Sequence, residues 1–435
     1  MVILYLPAEE MKKVLLLVYY WPPSGGSSVQ RWLKMLKYFP ELGFEPIVIT
    51  VDPKLASYPV IDPSLGEDIR SNLIVYKTPT FEFYNLYKKI TFRKEIPYAG
   101  FVNEKKVDFF QWLSRSIRSN FFITDPRRGW NRYAYKKAIE IISANKIETV
   151  ITSSPPHSTQ LIGLRLKKKL NIRWIADLQD PWTDIYYYKE LYHSFVSGRI
   201  DACYERKVLI EADKVVTVSD PIKRMFTSKS SRIDPSKIMV IPNGFDEEDF
   251  GEKGQSDPGK LVITYTGTIK EDYKIDALLS AIGKVAARGE TILLRFAGRI
   301  SAGIKEKIIS TPHIETEFYD YVPHLESVKF ILRSDALLLI IPKIENNKGI
   351  LTGKLFEYLG SGLKIIGIGP ADSDAGKIIR ECSSGEMFEY DDEKAIEANV
   401  IKLTEMKKSG MAPVNRKMIN LYSRRNQALE ITKIL

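Results

Sequence analysis

The chain has 435 residues, more than a single hydrophobic core usually organises, so its length favours two domains. Hydrophobic residues make up 44% of it and charged residues 27%, a balance typical of globular proteins that excludes a disordered or fibrous chain. The net charge of +10 indicates an anionic partner, but nucleic acid, acidic lipid and nucleotide diphosphate would all satisfy it.

The two cysteines, Cys203 and Cys382, are isolated, which argues against a disulfide framework or a zinc site and favours a reducing compartment. The apolar residues after Met11 run into the segment 21–26 without a cleavage site, so we interpret them as a first strand rather than a secretory signal. The next longest apolar run, 336–341, is far shorter than the roughly 20 residues of a membrane span. We therefore predict a cytoplasmic protein.

Short β-branched runs alternate with segments long enough for helices, and their near-continuous hydrophobicity predicts parallel strands buried on both faces. In the first half these runs are 14–18, 46–51, 149–152, 173–176, 215–218 and 238–241. The glycine-rich stretch 251–260 predicts a linker. Beyond it the runs are 261–266, 292–297, 336–341 and 364–368. We expect two α/β lobes with a cleft between them, and a terminal helix over 414–435.

Two glycine turns follow the first strand of each half, where the backbone of an open parallel sheet approaches a phosphate. The first contains Gly25 and Gly26, and the second contains Gly267 and Thr268. Neither has the spacing of a dinucleotide fingerprint, which disfavours a nicotinamide cofactor. Each turn is equally consistent with a simple connection between a strand and a helix.

A helix is predicted to begin after the strand 336–341. Its start contains Thr352, Gly353, Lys354 and Leu355, whose N–H groups would form an anion site. Glu357 lies on the same face as Gly353, where a carboxylate accepts two hydrogen bonds from adjacent ribose hydroxyls. The alternative is that Glu357 is an ordinary first-turn acid that favours the helix dipole.

In the first half, Asp177 and Asp180 follow the strand 173–176 and should face the cleft, where a carboxylate orients an acceptor hydroxyl. We favour Asp180 for this role, although Asp-Pro is also a common turn and cap. His157 lies in a turn after another strand, and a satisfied turn histidine is its simpler interpretation.

Two further features carry alternatives. Asp372 and Asp374 have the DxD spacing of metal-dependent transferases, but their loop context favours a helix cap. The aromatic and basic region 81–128 suits an anionic bilayer surface, with an interfacial helix over 109–122, and an insertion packed on its own lobe explains it equally well.

Four motifs in order along the chain carry a resemblance to the retaining glycosyltransferases of family four, which have the GT-B fold. They are Pro-Pro-x-Gly-Gly at 22–26, Val-Thr-Val-Ser at 216–219, Ile-Pro-Asn-Gly-Phe-Asp at 241–246 and Gly-Lys-Leu-Phe-Glu-Tyr at 353–358. Three more segments resemble a bacterial surface-polysaccharide subset, and these are 125–130, 153–157 and 177–182.

The resemblance implies an α/β GT-B fold of two Rossmann-like, doubly wound parallel-sheet lobes with an interlobe cleft and a C-terminal helix. Residues 1–250 would form the acceptor-side lobe, with the helix 414–435 returning to it, and residues 260–413 the nucleotide-sugar lobe. The implied reaction transfers a sugar with retention from a UDP- or GDP-sugar to a hydroxyl of a lipid-linked glycan, in cell-surface polysaccharide biosynthesis. No metal, cofactor or nucleic acid is expected, and the protein would work in the cytoplasm, peripherally on the inner face of the membrane.

By the same resemblance Glu357 would bind the donor ribose and Lys274, six residues after Thr268, the diphosphate, so that the expected catalytic set is Asp180, Lys274 and Glu357. Two positions depart from the family pattern, because relatives often have Arg where Thr268 stands and an acid where Gly349 stands. Glu345 in the preceding loop is an alternative acid. Because of these departures, an inactive protein that only binds a nucleotide-sugar stays an alternative interpretation. Another cofactor-dependent α/β enzyme is a more distant alternative.

Overall fold

The computed structural model describes residues 11–82, 120, 123–185, 188–251, 254–344 and 347–435. The chain forms two compact units. The first contains residues 1–242 and 427–435, and the second contains residues 243–426.

The first unit is built on a seven-stranded sheet in the order β3-β2-β1-β4-β5-β6-β7, and every neighbouring pair is parallel. The strands are β1 (Lys12–Leu17), β2 (Phe44–Val51), β3 (Ile74–Thr78), β4 (Thr149–Ser154), β5 (Arg173–Leu178), β6 (Lys214–Thr217) and β7 (Ile238–Val240). Val14 and Leu16 of β1 lie in one core cluster, whereas Leu15 and Leu17 lie in another on the opposite face. Burial on both faces explains the unbroken hydrophobic runs of the sequence.

Helices cover both faces of this sheet. They are α1 (Ser27–Leu36), α2 (Asn131–Asn145), α3 (Gln160–Leu170), α4 (Phe195–Glu211) and α5 (Asp220–Ser228). Local chemistry sets their ends, as in α4, where the Ser194 hydroxyl accepts a bond from the Ser197 N–H.

The second unit has a six-stranded sheet in the order β10-β9-β8-β11-β12-β13, again parallel throughout. The strands are β8 (Leu261–Thr266), β9 (Ile292–Ala297), β10 (Glu315–Tyr319), β11 (Ala336–Ile340), β12 (Lys364–Ile368) and β13 (Gly385–Phe388). The helices are α6 (Asp276–Ala286), α7 (Ala302–Ile309), α8 (His324–Leu332), α9 (Gly353–Ser361), α10 (Asp374–Glu381), α11 (Glu393–Ser409) and α12 (Arg416–Asn420). The two predicted Rossmann-like lobes are thereby confirmed.

Each sheet reverses its strand order beside its first strand, between β1 and β4 in the first unit and between β8 and β11 in the second. In open α/β sheets the crevice at the carboxyl ends of such strands is where ligands bind. The glycine turns after β1 and β8 both lie at these positions.

The end of the chain differs from the predicted single helix over 414–435. It contains two helices, α12 and α13 (Arg424–Thr432), separated by a break. At the break the Phe245 N–H donates to the Tyr422 carbonyl (3.1 Å) and the Arg424 N–H donates to the Phe245 carbonyl (2.7 Å), so backbone groups needed for a helix pair with another segment. Ala428 and Ile431 of α13 lie in the core cluster of β1.

Several predicted features fall in other places. The stretch 251–260 lies inside the second unit, since the division falls between Pro242 and Asn243. Glu345 and most of the region 81–128, including the proposed interfacial helix over 109–122 except residue 120, lie outside the described residues. Within the described part of the chain, none of the helices is both long and apolar enough to cross a membrane.

Candidate functional site

The turn after β8 is shaped by two glycines. Gly267 has φ +107°, and its N–H donates to the Ala297 carbonyl at the end of β9 (2.7 Å). Gly298 follows with φ +138°, and a Cβ there would lie only 2.1 Å from the Gly267 carbonyl oxygen. Close approach of these turns therefore requires glycine at 298. The backbone of this turn is therefore not covered by side chains of its own residues 267 and 298, at the point where the second sheet reverses its strand order.

Lys354 of α9 lies over this turn. A Cβ on Gly267 would lie 2.8 Å from the Lys354 ammonium nitrogen. That ammonium donates to the Tyr265 hydroxyl (3.0 Å) and sits 4.8 Å from the centroid of the Tyr265 ring. The structure thus brings together the glycine turn and the start of α9, two segments that the sequence predicted separately, and it places a cation there.

The start of α9 has features of an anion site. Thr352, the N-cap residue, is extended (φ −81°, ψ 153°), and its side chain makes no capping bond. Its hydroxyl is buried and, among the described residues, has no hydrogen-bond partner. Buried polar groups are normally paired, so an unpaired hydroxyl beside the first N–H groups of a helix suits the binding of an anionic ligand. Gly353, the first residue of α9, adds no side chain to block that approach.

Leu355 lies on the buried face of α9. Its side chain is fully buried in the core of the second unit, and its N–H donates to the Thr352 carbonyl (3.2 Å). The side chain of Leu355 packs in the core and its N–H is already bonded to a backbone carbonyl. Leu355 therefore supports the helix start and offers neither group to a ligand.

Glu357 is half-buried one turn into α9, beside an unforeseen histidine. Its Oε1 lies 3.7 Å from Nδ1 of His324, whose Nε2 is 3.1 Å from Oδ2 of Asp249. Burial raises the pKa of Glu357, whereas the positive charge attributed to His324 opposes that rise. A carboxylate in this setting is poorly hydrated, which suits it to accept donors from a ligand.

Thr268 and Lys274 are both exposed in the loop between β8 and α6. The Thr268 carbonyl accepts a bond from the Tyr265 hydroxyl (2.9 Å), so the backbone here is fixed by the same tyrosine that contacts Lys354. Lys274 immediately precedes Ile275, the N-cap of α6. Its proposed role at a diphosphate stays a prediction.

In the first unit, the turn after β1 separates its two glycines. The Gly25 N–H donates to the Val60 carbonyl (3.0 Å), and a Cβ on Gly25 would lie 3.0 Å from side-chain atoms of Val60 and Asp62. Gly26 is the N-cap of α1 with φ +107°, and a Cβ there would meet no atom within 4 Å. Gly25 is therefore needed for packing, whereas Gly26 leaves open space at the helix start.

Asp177 and Asp180 have contrasting environments. Asp177 is fully buried and accepts bonds from Arg31 (3.2 Å), Trp32 (2.8 Å) and Ser153 (2.7 Å). Asp180 is half-buried, and burial followed by the charge of Asp177 raises its pKa to about 6. Asp177 therefore holds the sheet edge together, and Asp180 keeps a carboxylate of near-neutral pKa.

The loop that carries Asp180 is anchored to α4. The Trp182 indole donates to Asp201 (3.0 Å), and the Thr183 hydroxyl donates to Glu205 (2.5 Å). The Trp182 ring also stacks on His157, with ring centroids 5.1 Å apart. Burial lowers the pKa of His157 to about 3, so this histidine is neutral at physiological pH.

Asp125 links two segments near His157. It accepts bonds from the N–H (2.7 Å) and hydroxyl (2.9 Å) of Ser158, and burial raises the pKa of its carboxyl group. Asp125 and Ser158 thus fix the turn that carries His157 at the end of β4.

The DxD-like segment acts as a helix cap. Ser373 is the N-cap of α10 and accepts a bond from the Gly376 N–H (3.1 Å), while Asp372 pairs with Lys348. In the described part of the chain, no three His, Cys, Asp or Glu side chains are grouped so as to hold a metal ion.

Sequence reasoning missed three residues of the second-unit site: Gly298, His324 and Tyr358. The Tyr358 hydroxyl accepts a bond from the Thr266 N–H (2.9 Å) and so ties α9 to the end of β8. Gly298 had a signal, since it directly follows a buried strand. His324 had none, because nothing in its sequence neighbourhood indicates that it approaches Glu357.

The comparisons with known proteins agree with this architecture. Residues 101–249 match the family model described as Glycosyltransferase Family 4. None of the curated proteins matches the chain. The solved structures with similar folds include a glycosyltransferase from Rickettsia africae, with 14% identity, 98% of this chain and 97% of that chain covered, and a TM-score of 0.54.

A sucrose-phosphate synthase from Thermosynechococcus elongatus has 11% identity, covers 98% of both chains and has a TM-score of 0.58. Anabaena HepE in complex with UDP and glucose has 11% identity, covers 97% of this chain and 98% of that chain, and has a TM-score of 0.56. At these identities the structures show a shared fold. The chain therefore has the GT-B fold, and its residues 101–249 are similar in sequence to Glycosyltransferase Family 4.

Proposed function

We propose that this protein is a glycosyltransferase that moves a sugar from a UDP- or GDP-sugar to a hydroxyl of a glycan acceptor, with retention of anomeric configuration. One observation carries the donor side of the proposal, namely that Lys354 lies over the bare Gly267 turn with Glu357 one turn further along α9. Cations and backbone N–H groups stabilise a diphosphate, and a carboxylate one helical turn away can accept hydrogen bonds from the ribose hydroxyls. The complex of Anabaena HepE with UDP-glucose supports this class of donor.

We assign the diphosphate to the start of α9. The unpaired Thr352 hydroxyl, the first N–H groups of the helix and the Lys354 ammonium would share its charge. Lys274 would add a second cation from the loop after β8. This set replaces the Arg that relatives often have in place of Thr268, and it stabilises the leaving group without a metal ion.

We assign the acceptor to the first unit, with Asp180 as the carboxylate that orients its hydroxyl. The support is its pKa of about 6, which leaves it mostly ionised at neutral pH, and its rigid anchoring through Trp182 and Thr183. Asp177 is excluded from this role by its three internal hydrogen bonds.

In the proposed reaction, the bond between the anomeric carbon and the diphosphate oxygen breaks while the acceptor oxygen bonds to the same face of that carbon. The acceptor proton passes to the leaving diphosphate, so charge and atoms balance without another reactant. Lys354 and the helix N–H groups stabilise the developing diphosphate charge. The product is a glycoside of unchanged anomeric configuration.

We further propose a lipid-linked acceptor at the inner face of the cytoplasmic membrane, in surface-polysaccharide biosynthesis. Phe195 and Val196 at the start of α4 are 73% and 64% exposed, and the Arg199 guanidinium lies 4.4 Å from the Phe195 ring centroid. Exposed aromatic and apolar side chains beside a cation suit an anionic bilayer surface. The side-chain oxygen of Asn120, a residue of the aromatic and basic region 81–128, accepts bonds from the Ser194 N–H and the Ser197 hydroxyl beside them.

A donor panel tests the transferase proposal. The purified protein is incubated with UDP- and GDP-sugars, with and without a membrane glycolipid extract, and release of the nucleotide is measured together with sugar incorporation. We expect thermal stabilisation by one nucleotide and acceptor-dependent transfer of its sugar. Stabilisation without transfer or hydrolysis would favour a binding protein, and an absorbing bound nicotinamide or flavin would favour a different enzyme class.

A further inference from the structure

His324 lies between two carboxylates in the second unit. It is the first residue of α8 and only 8% exposed. Its Nε2 is 3.1 Å from Oδ2 of Asp249, and its Nδ1 is 3.7 Å from Oε1 of Glu357. The second distance is too long for a hydrogen bond but close enough for a strong interaction between charges.

The two contacts indicate which nitrogen atoms of the His324 ring carry a proton. Asp249 accepts the proton of Nε2, which leaves Nδ1 facing Glu357. A neutral ring would then present a lone pair to the Glu357 carboxylate, and the two would repel each other. A protonated ring presents an N–H donor instead, so protonation of Nδ1 and ionisation of Glu357 favour each other.

We infer that His324 is a positioning residue for Glu357, whose carboxylate it keeps ionised and oriented to accept the two ribose hydroxyls of the nucleotide. The inference rests on the proposed function, which supplies the ribose. Nothing in the family pattern of the sequence assigns this histidine a role, and its contact with Glu357 exists only in the folded chain.

The other charges around Glu357 determine what happens without the imidazole. Lys354 on α9 and Arg424 at the start of α13 add positive charge, and Asp249 adds negative charge. Burial is the largest influence and already raises the pKa of Glu357. Without the positive charge of His324, the negative charge of Asp249 has a larger effect on Glu357. The pKa of Glu357 then rises further, and its carboxylate becomes protonated at a higher pH.

The experiment is a calorimetric titration of UDP and GDP against wild type and His324→Gln between about pH 5.5 and 8.5. We expect wild-type affinity to fall only at a lower pH than that of His324→Gln, because the His324 charge opposes protonation of Glu357. In His324→Gln the affinity should fall about tenfold per pH unit below a midpoint, and recover above it. In a Glu357→Gln background, His324→Gln should add no further loss, since both changes act on one contact.

Two controls keep the outcome specific. His313 is an exposed histidine of the same unit with φ +64°, a conformation that Asn tolerates, so His313→Asn should leave the pH profile unchanged. If His324→Gln does not fold, nitrogen NMR of wild type supplies the test. UDP or GDP should then shift the ring signals of His324, which should be those of a protonated ring, and leave those of His313 in place.

The outcomes separate the two proposals. If wild type binds neither UDP nor GDP, the proposed function fails and the role of His324 fails with it. If wild type binds a nucleotide but His324→Gln keeps the wild-type pH profile, the inference about His324 is overturned while the proposed function stands. The same holds if the His324 ring signals do not respond to the bound nucleotide.

Discussion

Replacing Glu357 by Gln tests the donor site most directly. The substitution keeps the shape of the side chain and removes its charge, and Glu357 is half-buried near Lys354 and His324. Two charge-assisted hydrogen bonds to ribose hydroxyls then become ordinary ones. A loss of about 1.5–3 kcal/mol predicts roughly tenfold to hundredfold weaker binding of the nucleotide diphosphate.

The empty protein should respond in the opposite direction. Because burial raises the pKa of Glu357 in the folded state, its ionised form opposes folding above the pKa of the unfolded chain. Gln carries no charge and removes that opposition. We therefore expect the melting temperature of unliganded Glu357→Gln at neutral pH to equal or exceed that of wild type.

The assay combines calorimetric titration with thermal unfolding, using ribo- and 2′-deoxyribonucleotides. Wild type should bind the 2′-deoxy compound as weakly as Glu357→Gln binds the ribonucleotide, and the variant should be nearly indifferent to the 2′-hydroxyl. Equal binding of both nucleotides by wild type, or a variant whose main defect is a lower melting temperature when empty, would make Glu357 a structural helix acid.

Three further predictions concern the metal, the membrane and the acceptor side. EDTA should leave turnover intact, and loss of activity that magnesium or manganese restores would return attention to Asp372 and Asp374. Binding to anionic vesicles should weaken as salt rises and weaken further in Phe110→Asp and Phe195→Asp; equal recovery in the supernatant with and without vesicles would refute this. Asp180→Asn should lower kcat without changing nucleotide affinity. Wild-type kcat should rise as the pH increases through about 6, because Asp180 ionises there. A kcat that does not change with pH would exclude Asp180 as the titrating group.

The central strands of both sheets were predictable from the sequence because burial on both faces demands unbroken apolar runs. Of the four edge strands in these two sheets, β7 was predicted as the run 238–241, whereas β3, β10 and β13 were not. In β10 all five residues are exposed or half-buried, and β3 has a single buried residue. An edge strand has one neighbour and partial cover, so its sequence alternates weakly and resembles a loop.

Local chemistry predicted the glycine turn after β8 and the helix start at Gly353, and the structure places Lys354 over Gly267. It did not predict which side chains meet there. Tyr358 contacts Thr266, and His324 contacts Glu357, only because α8 and α9 pack on the same sheet. Such contacts depend on how helices that are far apart in the sequence pack together, and a local sequence pattern does not predict that packing.

The two aspartates after β5 illustrate the same limit on the acceptor side. Their sequence context is nearly shared, and a strand-end position predicts either as a ligand group. Arg31 and Trp32, far away in sequence on α1, and Ser153 on β4 saturate Asp177 and convert it into a structural anchor. That anchored negative charge then helps burial to raise the pKa of Asp180. The chemistry of Asp180 thus depends on a neighbour whose own role is set by residues of other elements, so the assignment required the folded chain.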